Sequence, residues 1–369
     1  FILEPANLFV LNSHVSVDTF FLVGGIVIVY TFMGAVKKGT KFNIIVYYIH
    51  RYLRLTPLVA VTIGFFLTLM KHCGSGPVWP DAVNTNIIEA CQTNWWKTLL
   101  YIQNFDPLTI CISQSWYLGV DFQLFILSPL LLLPLTKWPR KTLIFIGLLV
   151  AVSTLAAFLT TWFLQLSKFS RETSEEYAKY YYNAPWIRCS PWLIGIIAGY
   201  VIFESKQKNN QIMINKVLVL LLWGTSLTHL YVCVFEGHDM IIIDGIVTNT
   251  YDKLKYSFYL AFVRPTWAMA LAWIIFACAN GYGGPVNWFL SLPIFQVLSK
   301  LTYCLFIIHN AVLVITIAQM RSPPSFTHTE IMHAFWGDYM VAVAISFVLT
   351  LAFESPIIIL EKFLFRRNT

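Results

Sequence analysis

The chain has 369 residues, of which 57% are hydrophobic and 12% are charged, and its mean hydropathy is +0.66. A soluble domain carries about 25% charged residues, and the apolar residues here come in runs of about 18 or more, so the composition excludes an ordinary soluble protein. The formal net charge of +7 is not gathered with aromatic side chains into a basic groove, which argues against a nucleic-acid partner. The partner that the composition indicates is a lipid bilayer.

The apolar runs predict an all-α, polytopic membrane helical bundle. Trp and Tyr are frequent near the ends of these runs, as in the aromatic belts of membrane proteins. We expect nine spans in this chain, at 15–36, 52–70, 115–135, 142–164, 186–203, 212–234, 258–279, 294–318 and 339–361.

The basic residues predict the orientation of the bundle. On the side opposite to the start of the chain, many Lys and Arg residues stand against the acids Glu204 and Glu361. The positive-inside rule makes that side cytoplasmic, so we expect an integral protein of the plasma membrane or endoplasmic reticulum with a cytoplasmic C-terminus. The basic residues on that side are Lys37, Lys38, Lys41, Arg51, Arg54, Lys137, Arg140, Lys141, Lys206, Lys208, Lys216, Lys300, Lys362, Arg366 and Arg367.

The apolar run 115–135 carries one acid, Asp121, and no base. At 100° per residue, Tyr117, Asp121 and Ser128 fall within about 40° of each other on one helix face. An ionisable group inside a bilayer costs at least ~2.5 kcal/mol, so Asp121 should face protein or water and have a partner. We therefore regard Asp121 as a candidate catalytic residue and Tyr117 as part of a buried polar cluster.

Two arginines lie at the cytoplasmic entrance to the second span, in the segment HRYLRLTPL, residues 50–58. Arg51 and Arg54 share a helix face, and Pro57 then loosens the backbone. One interpretation is ordinary snorkelling of positive-inside arginines. The other is an anion clamp, because guanidinium forks suit phosphates and two in register suit a diphosphate.

Asp18, at the outer end of the first span, and Arg264, in the seventh span, are expected at a depth similar to that of Asp121. We expect Arg264 to pair with Asp18 or Asp121. The alternatives are that any such pair is purely structural, or that Asp18 is simply a favourable charge at a helix N-terminus.

Two further polar residues lie in the last two spans. His309 shares a face with Thr302 near mid-membrane, and it is either a hydrogen-bonding residue between helices or a reserve catalytic base. Glu354 precedes Ser355 and Pro356 and is expected at the level of Arg51 and Arg54, where it would orient one of them.

The cysteines fit the expected orientation. Cys73, Cys91 and Cys111 lie in the long loop 71–114, which we interpret as a partly buried outer loop lying on the membrane surface because of Trp95, Trp96, Tyr101 and Phe105. A disulfide between Cys91 and Cys111 is the preferred pairing, with Cys73 as the alternative partner. No Cys/His spacing in the sequence suggests a metal site.

Five segments, taken together and in this order, resemble the acyltransferase-3 family of multi-pass membrane proteins: SVDTFFLVGG, HRYLRLTPL, SWYLGVDFQLF, LSKLTYCLFIIHNAV and FESP. The Trp95–Trp96 loop and AWIIFACANGYGG (272–284) look more specifically like the animal branch, the nose-resistant-to-fluoxetine group. The resemblance covers nearly the whole chain, so we expect residues 1–369 to form one domain.

The resemblance implies a bundle of about ten core helices and O-acyl transfer from a cytoplasmic donor, typically acyl-CoA as co-substrate, to a hydroxyl of a lipid or other acceptor. No permanently bound cofactor is expected. The family's RxxR element corresponds to Arg51 and Arg54, and its Ser-x-Glu-like helix corresponds to the Asp121 region. The family's important His lies on a first core helix that would precede Phe1, so the resemblance implies that the main base lies there, with Asp121 and His309 as weaker candidates in this chain. The animal branch is associated with lipid and xenobiotic uptake, so a transport protein on an acyltransferase-like scaffold is the alternative.

Overall fold

The computed structural model describes residues 8–166, 174–207, 214–235, 253–322 and 327–365. Every regular element within these ranges is helical, which confirms the all-α prediction. The longer helices are α1 (Ser16–Lys37), α2 (Ile44–Thr68), α3 (Ala90–Leu99), α4 (Trp116–Leu127), α5 (Pro129–Lys137), α6 (Pro139–Leu164), α7 (Pro185–Gln207), α8 (Lys216–Phe235), α9 (Lys253–Ala279), α10 (Pro293–Ala318), α11 (His328–Leu349) and α12 (Ser355–Phe365).

Short helical pieces connect the longer helices. The α-helical ones are Leu8–Leu11, Ser174–Glu176 and Gly284–Leu290, and the π-helical ones are Pro80–Glu89, Tyr177–Tyr182 and Thr350–Glu354. The 3₁₀ turns are Ser13–Val15, Met70–His72, Gln103–Phe105, Pro107–Thr109 and Ser113–Ser115.

Within the described ranges, eight helical stretches are long and apolar enough to cross a membrane: Ser13–Lys37, Ser113–Lys137, Pro139–Leu164, Ser174–Gln207, Lys216–Phe235, Lys253–Ala279, Pro293–Ala318 and His328–Leu360. They coincide with eight of the nine expected spans. The remaining one, 52–70, falls in α2, whose first half carries His50, Arg51 and Arg54, so the count of nine is not confirmed. Lys208, Arg366 and Arg367, used for the orientation, lie outside the described residues.

The helices form two compact units. The first unit consists of Phe1–Lys41 and Val120–Leu290. Its closest helix pair is α1 with α7, where a Cβ at Gly25 would collide with the Trp192 carbonyl and a Cβ at Gly195 would collide with the Leu22 carbonyl. The glycines therefore let the two backbones touch, as small residues do between membrane helices.

Ser128 marks the break between α4 and α5 in the first unit. Pro129 has no N–H to offer to the Phe125 carbonyl. The Ser128 hydroxyl supplies a donor instead, with its Oγ 2.7 Å from the Phe125 oxygen. Ser128, expected on the polar stripe, is thus used to satisfy the backbone at a proline break.

The second unit consists of Phe42–Gly119 and Ser291–Thr369. Asn43 caps α2, since its side-chain oxygen accepts from the backbone N–H of Ile45 and Val46. Helix α2 packs against α3, α10, α12 and the π-helical piece Thr350–Glu354, and α10 packs against α11. The second unit contains most of the residues singled out for donor binding and catalysis.

Candidate functional site

A disulfide-closed hairpin lies in the second unit. Helix α3 contains Cys91 near its start, and the chain turns at residues 100–106. Cys111 then closes the loop through the Cys91–Cys111 disulfide. The preferred pairing from the sequence is therefore present, and Cys73 is a free, exposed thiol. Near the turn, the Lys97 ammonium lies 2.8 Å from the Asp106 carboxylate, which also accepts from the Thr109 hydroxyl.

The turn of this hairpin reaches far along α2. The Tyr101 hydroxyl lies 3.2 Å from the Thr56 hydroxyl, and the Tyr101 ring meets the Tyr52 ring edge-on at 6.1 Å. Thr56 is about 18 Å from the Thr68 end of α2, at 1.5 Å per residue. The turn of loop 71–114 therefore packs against α2, which confirms that the loop is partly buried. Its place on the membrane surface stays a prediction.

Two observations show that the conformation of this turn is fixed by its surroundings. Tyr101 is buried and has a φ of +58°, a left-handed conformation that is strained for a bulky residue and persists only where the surroundings enforce it. Gln103 and Asn104 are also buried, and the Gln103 amide donates to the Ser115 carbonyl at 2.6 Å. Irregular backbone at such a depth is tolerated only where protein or water satisfies it.

A second tyrosine reaches the same turn of α2 from α10. The Tyr303 hydroxyl donates to the Leu55 carbonyl at 2.6 Å, next to Thr56 and just before Pro57, where proline removes a backbone donor from the helix. We call Tyr101, Tyr303 and their α2 partners Leu55 and Thr56 the tyrosine cluster. Tyr303 lies about 22 Å from the Ala318 end of α10, which agrees with the depth measured along α2.

The predicted donor clamp lies on α2 one turn before the tyrosine cluster. Arg51 is half-buried and Arg54 is exposed. Glu354, on the π-helical piece Thr350–Glu354, accepts from the Cys304 thiol at 3.4 Å. Its expected role in orienting Arg51 or Arg54 stays a prediction.

His309 sits on α10, and its Nδ1 lies 2.8 Å from the Phe306 carbonyl. A carbonyl only accepts, so Nδ1 is the donor in this contact, and in the neutral ring Nε2 would be the acceptor. Tyr117 packs edge-on against Phe306 at 5.3 Å. The Thr302 hydroxyl bonds within its own helix, to Leu298 at 3.2 Å, so it does not serve His309.

The first unit contains a separate buried group, which we call the arginine cluster: Asp18, Arg188, Arg264, Tyr181 and Tyr182. Arg188 Nη1 lies 2.7 Å from Asp18 Oδ1, with both side chains fully buried. The prediction that Arg264 pairs with Asp18 or Asp121 is wrong. Arg264 instead stacks on the Tyr181 ring at 4.1 Å, and its Nη1 donates to the Tyr181 carbonyl at 3.4 Å.

The arginine cluster fixes the π-helical piece Tyr177–Tyr182 to the membrane helices. Arg188 stacks on Tyr182 at 4.5 Å and donates through Nε to the Tyr182 carbonyl at 2.8 Å. The Tyr181 hydroxyl donates to the Leu260 carbonyl at 2.7 Å. Sequence reasoning missed Arg188, although an arginine inside the expected span 186–203 was the available signal.

Asp121 is buried in the first unit and faces α1. Its Oδ1 would lie 3.7 Å from a Cβ at Gly24, an ordinary van der Waals distance, so the carboxylate lies directly beside α1. The candidate residues therefore divide between the units: Asp18, Asp121 and Arg264 belong to the first, and Arg51, Arg54, Tyr117, His309 and Glu354 belong to the second. Among the described residues, no group of three His, Cys, Asp or Glu side chains could hold a metal ion.

A helical bundle with eight apolar stretches of spanning length, buried charges and proline-broken helices is an integral, multi-pass membrane protein. The family model described as "Acyltransferase domain", acyltransferase-3, matches residues 2–357. The chain therefore belongs to the acyltransferase-3 family, and this membership supports a membrane acyltransferase-like function.

Two relatives from Caenorhabditis elegans are similar to the chain. "Nose resistant to fluoxetine protein 6" is 29% identical over 385 aligned residues, which cover 96% of this chain and 46% of the relative. "Regulator of hypoxia-inducible factor 1" is 23% identical over 333 residues, which cover 82% of this chain and 60% of the relative. The chain thus spans about half the length of the curated relatives it matches. No solved structure matches the chain.

Proposed function

We propose that this chain is the membrane domain of an O-acyltransferase. It would transfer an acyl group from a cytoplasmic acyl thioester, of the acyl-CoA type, to a hydroxyl of a lipid or another acceptor. The observation that carries the proposal is the pair Arg51 and Arg54 on one face of α2, next to the tyrosine cluster, in a chain of the acyltransferase-3 family.

The two arginines suit the phosphates of such a donor. A guanidinium offers several donors in a planar fork and stays charged, so it binds phosphate oxygens in pairs. Arg54 is exposed and Arg51 is half-buried, an arrangement in which one side chain meets the ligand first and the other is held by the helix packing.

The acceptor hydroxyl needs a base. His309 is suited to that role, because its Nδ1–H is committed to the Phe306 carbonyl and its Nε2 lone pair can take a proton. The hydroxyl proton would pass to Nε2 while the acceptor oxygen attacks the thioester carbonyl, and the thiolate of the donor would leave and be protonated. Asp121 remains a second candidate, in the first unit.

Direct binding tests the donor site. Calorimetry with a non-hydrolysable acyl-CoA should show saturable binding to the purified protein, and the double variant Arg51→Gln/Arg54→Gln should bind at least about tenfold more weakly, since each charge-assisted hydrogen bond contributes ~1.5–3 kcal/mol. The matched control is Arg140→Gln/Lys141→Gln, which removes two exposed basic residues elsewhere.

Unchanged binding in the Arg51/Arg54 variant would refute the clamp. A protein that binds no acyl-CoA at all would instead favour the alternative, a lipid or xenobiotic uptake protein on the same scaffold. Uptake of a labelled lipid by vesicles containing the protein would then be the measurement to make.

A further inference from the structure

Arg264, on α9 of the first unit, is a buried cation with few protein partners. Its side chain is 2% exposed. Its Nη1 makes the long contact with the Tyr181 carbonyl, but within the described part of the chain its Nε and Nη2 have no hydrogen-bond partner. Arg264 therefore places a positive charge in the interior of the first unit.

The arginine cluster has one more positive than negative charge. Asp18 is bonded to Arg188, which it neutralises, so Arg264 has no carboxylate of its own among the described residues. The other buried acid among the described residues of this unit, Asp121, faces Gly24, which is about 9 Å along α1 from Asp18. A buried charge without a counter-charge is strongly unfavourable, which points to an anion other than the carboxylates of the described residues.

A second unpartnered donor lies on the same face of α9. Ser257 is fully buried, and its hydroxyl has no hydrogen-bond partner among the described residues. Ser257 and Arg264 are seven residues apart and share a helix face, and Leu260 between them accepts the Tyr181 hydroxyl. Because long helical side chains lean toward the helix N-terminus, the Arg264 guanidinium is directed toward Ser257.

We propose that Arg264 and Ser257 bind one small monovalent anion, which is chloride or the carboxylate group of a small ligand. The free N–H and O–H groups are all donors, which suit an anion, and the excess of a single positive charge matches a single negative one. The tyrosines of Tyr177–Tyr182 would close the site. This inference does not depend on the acyl-transfer proposal, since it concerns the first unit alone.

Thermal unfolding in an isethionate buffer of constant ionic strength, whose bulky anion carries no carboxylate, tests the site. Chloride, acetate and phosphate are titrated separately against the purified wild-type protein, Ser257→Ala, Arg264→Lys and the control Lys216→Met, which removes an exposed positive charge on α8. We expect a saturable rise of the Tm with chloride or acetate in the wild type and the control. Ser257→Ala should shift the half-saturating concentration upward about tenfold, as expected for one lost hydrogen bond.

The two sources are distinguished by competition. If the Tm saturates with chloride and acetate competes with chloride, the site binds small ions in general. If the Tm saturates with acetate alone, the site binds carboxylates. Ser257→Ala leaves the charges in place, so the test stands even if Arg264→Lys does not fold. An absence of saturation in the wild type for every anion, or equal half-saturation in wild type and Ser257→Ala, would overturn the proposal.

Discussion

Arg188 and Asp18 form a fully buried ion pair between α7 and α1, with Nη1 2.7 Å from Oδ1. They are 170 residues apart in the sequence. The pair therefore joins the start of the chain to its middle at the point where the glycines bring α1 and α7 into backbone contact. Breaking one half of such a pair leaves an unpaired charge in an apolar environment.

Replacing Arg188 by Met should lower the free energy of unfolding by ~3–5 kcal/mol, because Asp18 would remain buried without a partner. The loss would show as a lower Tm in detergent and a lower yield of monodisperse protein. The double variant Arg188→Met/Asp18→Leu should recover part of the loss. Lys216→Met, at an exposed site, is the control, and equal stability of Arg188→Met and this control would contradict the prediction.

Breaking the Cys91–Cys111 disulfide should loosen the hairpin that carries Tyr101. The bond closes a separation of 20 residues, for which loop-closure entropy predicts a contribution of ~3 kcal/mol. Cys91→Ser should therefore unfold at a lower temperature than the wild type, whereas Cys73→Ser, at a free exposed thiol, should not. A peptide map under non-reducing conditions that shows Cys111 as a free thiol in the wild type would contradict the assignment.

The depth of the hairpin can be measured with a photoreactive residue. With p-benzoylphenylalanine in place of Tyr101, irradiation should cross-link position 101 to the α2 peptide that contains Tyr52 and Thr56, since both contact Tyr101. The same probe at the exposed Trp95 is the control and should not give this cross-link. Cross-links from position 101 only to residues 68–72 would mean that the turn lies across the end of α2.

The spans were predictable from the sequence because each is a long apolar run, and eight of them coincide with the helices. The disulfide was predictable because Cys91 and Cys111 are the two cysteines of loop 71–114 that lie nearest the start of the span 115–135. The partner of Asp18 was not predictable from the sequence. Arg188 and Arg264 both lie in helices of the first unit, and only the packing of α7 against α1 brings Arg188 to Asp18. The burial of Gln103 and Asn104 was not predictable, because amide side chains are typical of a surface loop, and here both pack against Gly119 of α4.

The expected orientation leads to a labelling prediction. In a background where Cys73 is Ser, Lys38→Cys should react with a membrane-impermeant maleimide only from the cytoplasmic side, and Asn84→Cys only from the opposite side. Both side chains are exposed, so access is decided by the membrane and not by packing. Reaction of both positions from one side would refute the orientation derived from the basic residues.

The role of His309 predicts a separation of binding from turnover. His309→Ala should lower the rate of acyl transfer by ~10²–10⁴, the usual contribution of a general base, while the affinity for a non-hydrolysable acyl-CoA stays that of the wild type. The matched control is His229→Ala. His229 Nδ1 lies 2.6 Å from the Thr225 carbonyl, one turn earlier in its helix, so it makes the same kind of contact as His309. His229 is exposed, however, and lies on α8 in the first unit. Turnover should be unchanged in that control.

Two outcomes would contradict the role of His309. If His309→Ala transfers acyl groups as fast as His229→Ala, the base lies elsewhere and Asp121 becomes the residue to test. If His309→Ala also loses donor binding, the role of His309 is to hold α10 in place and not to accept a proton.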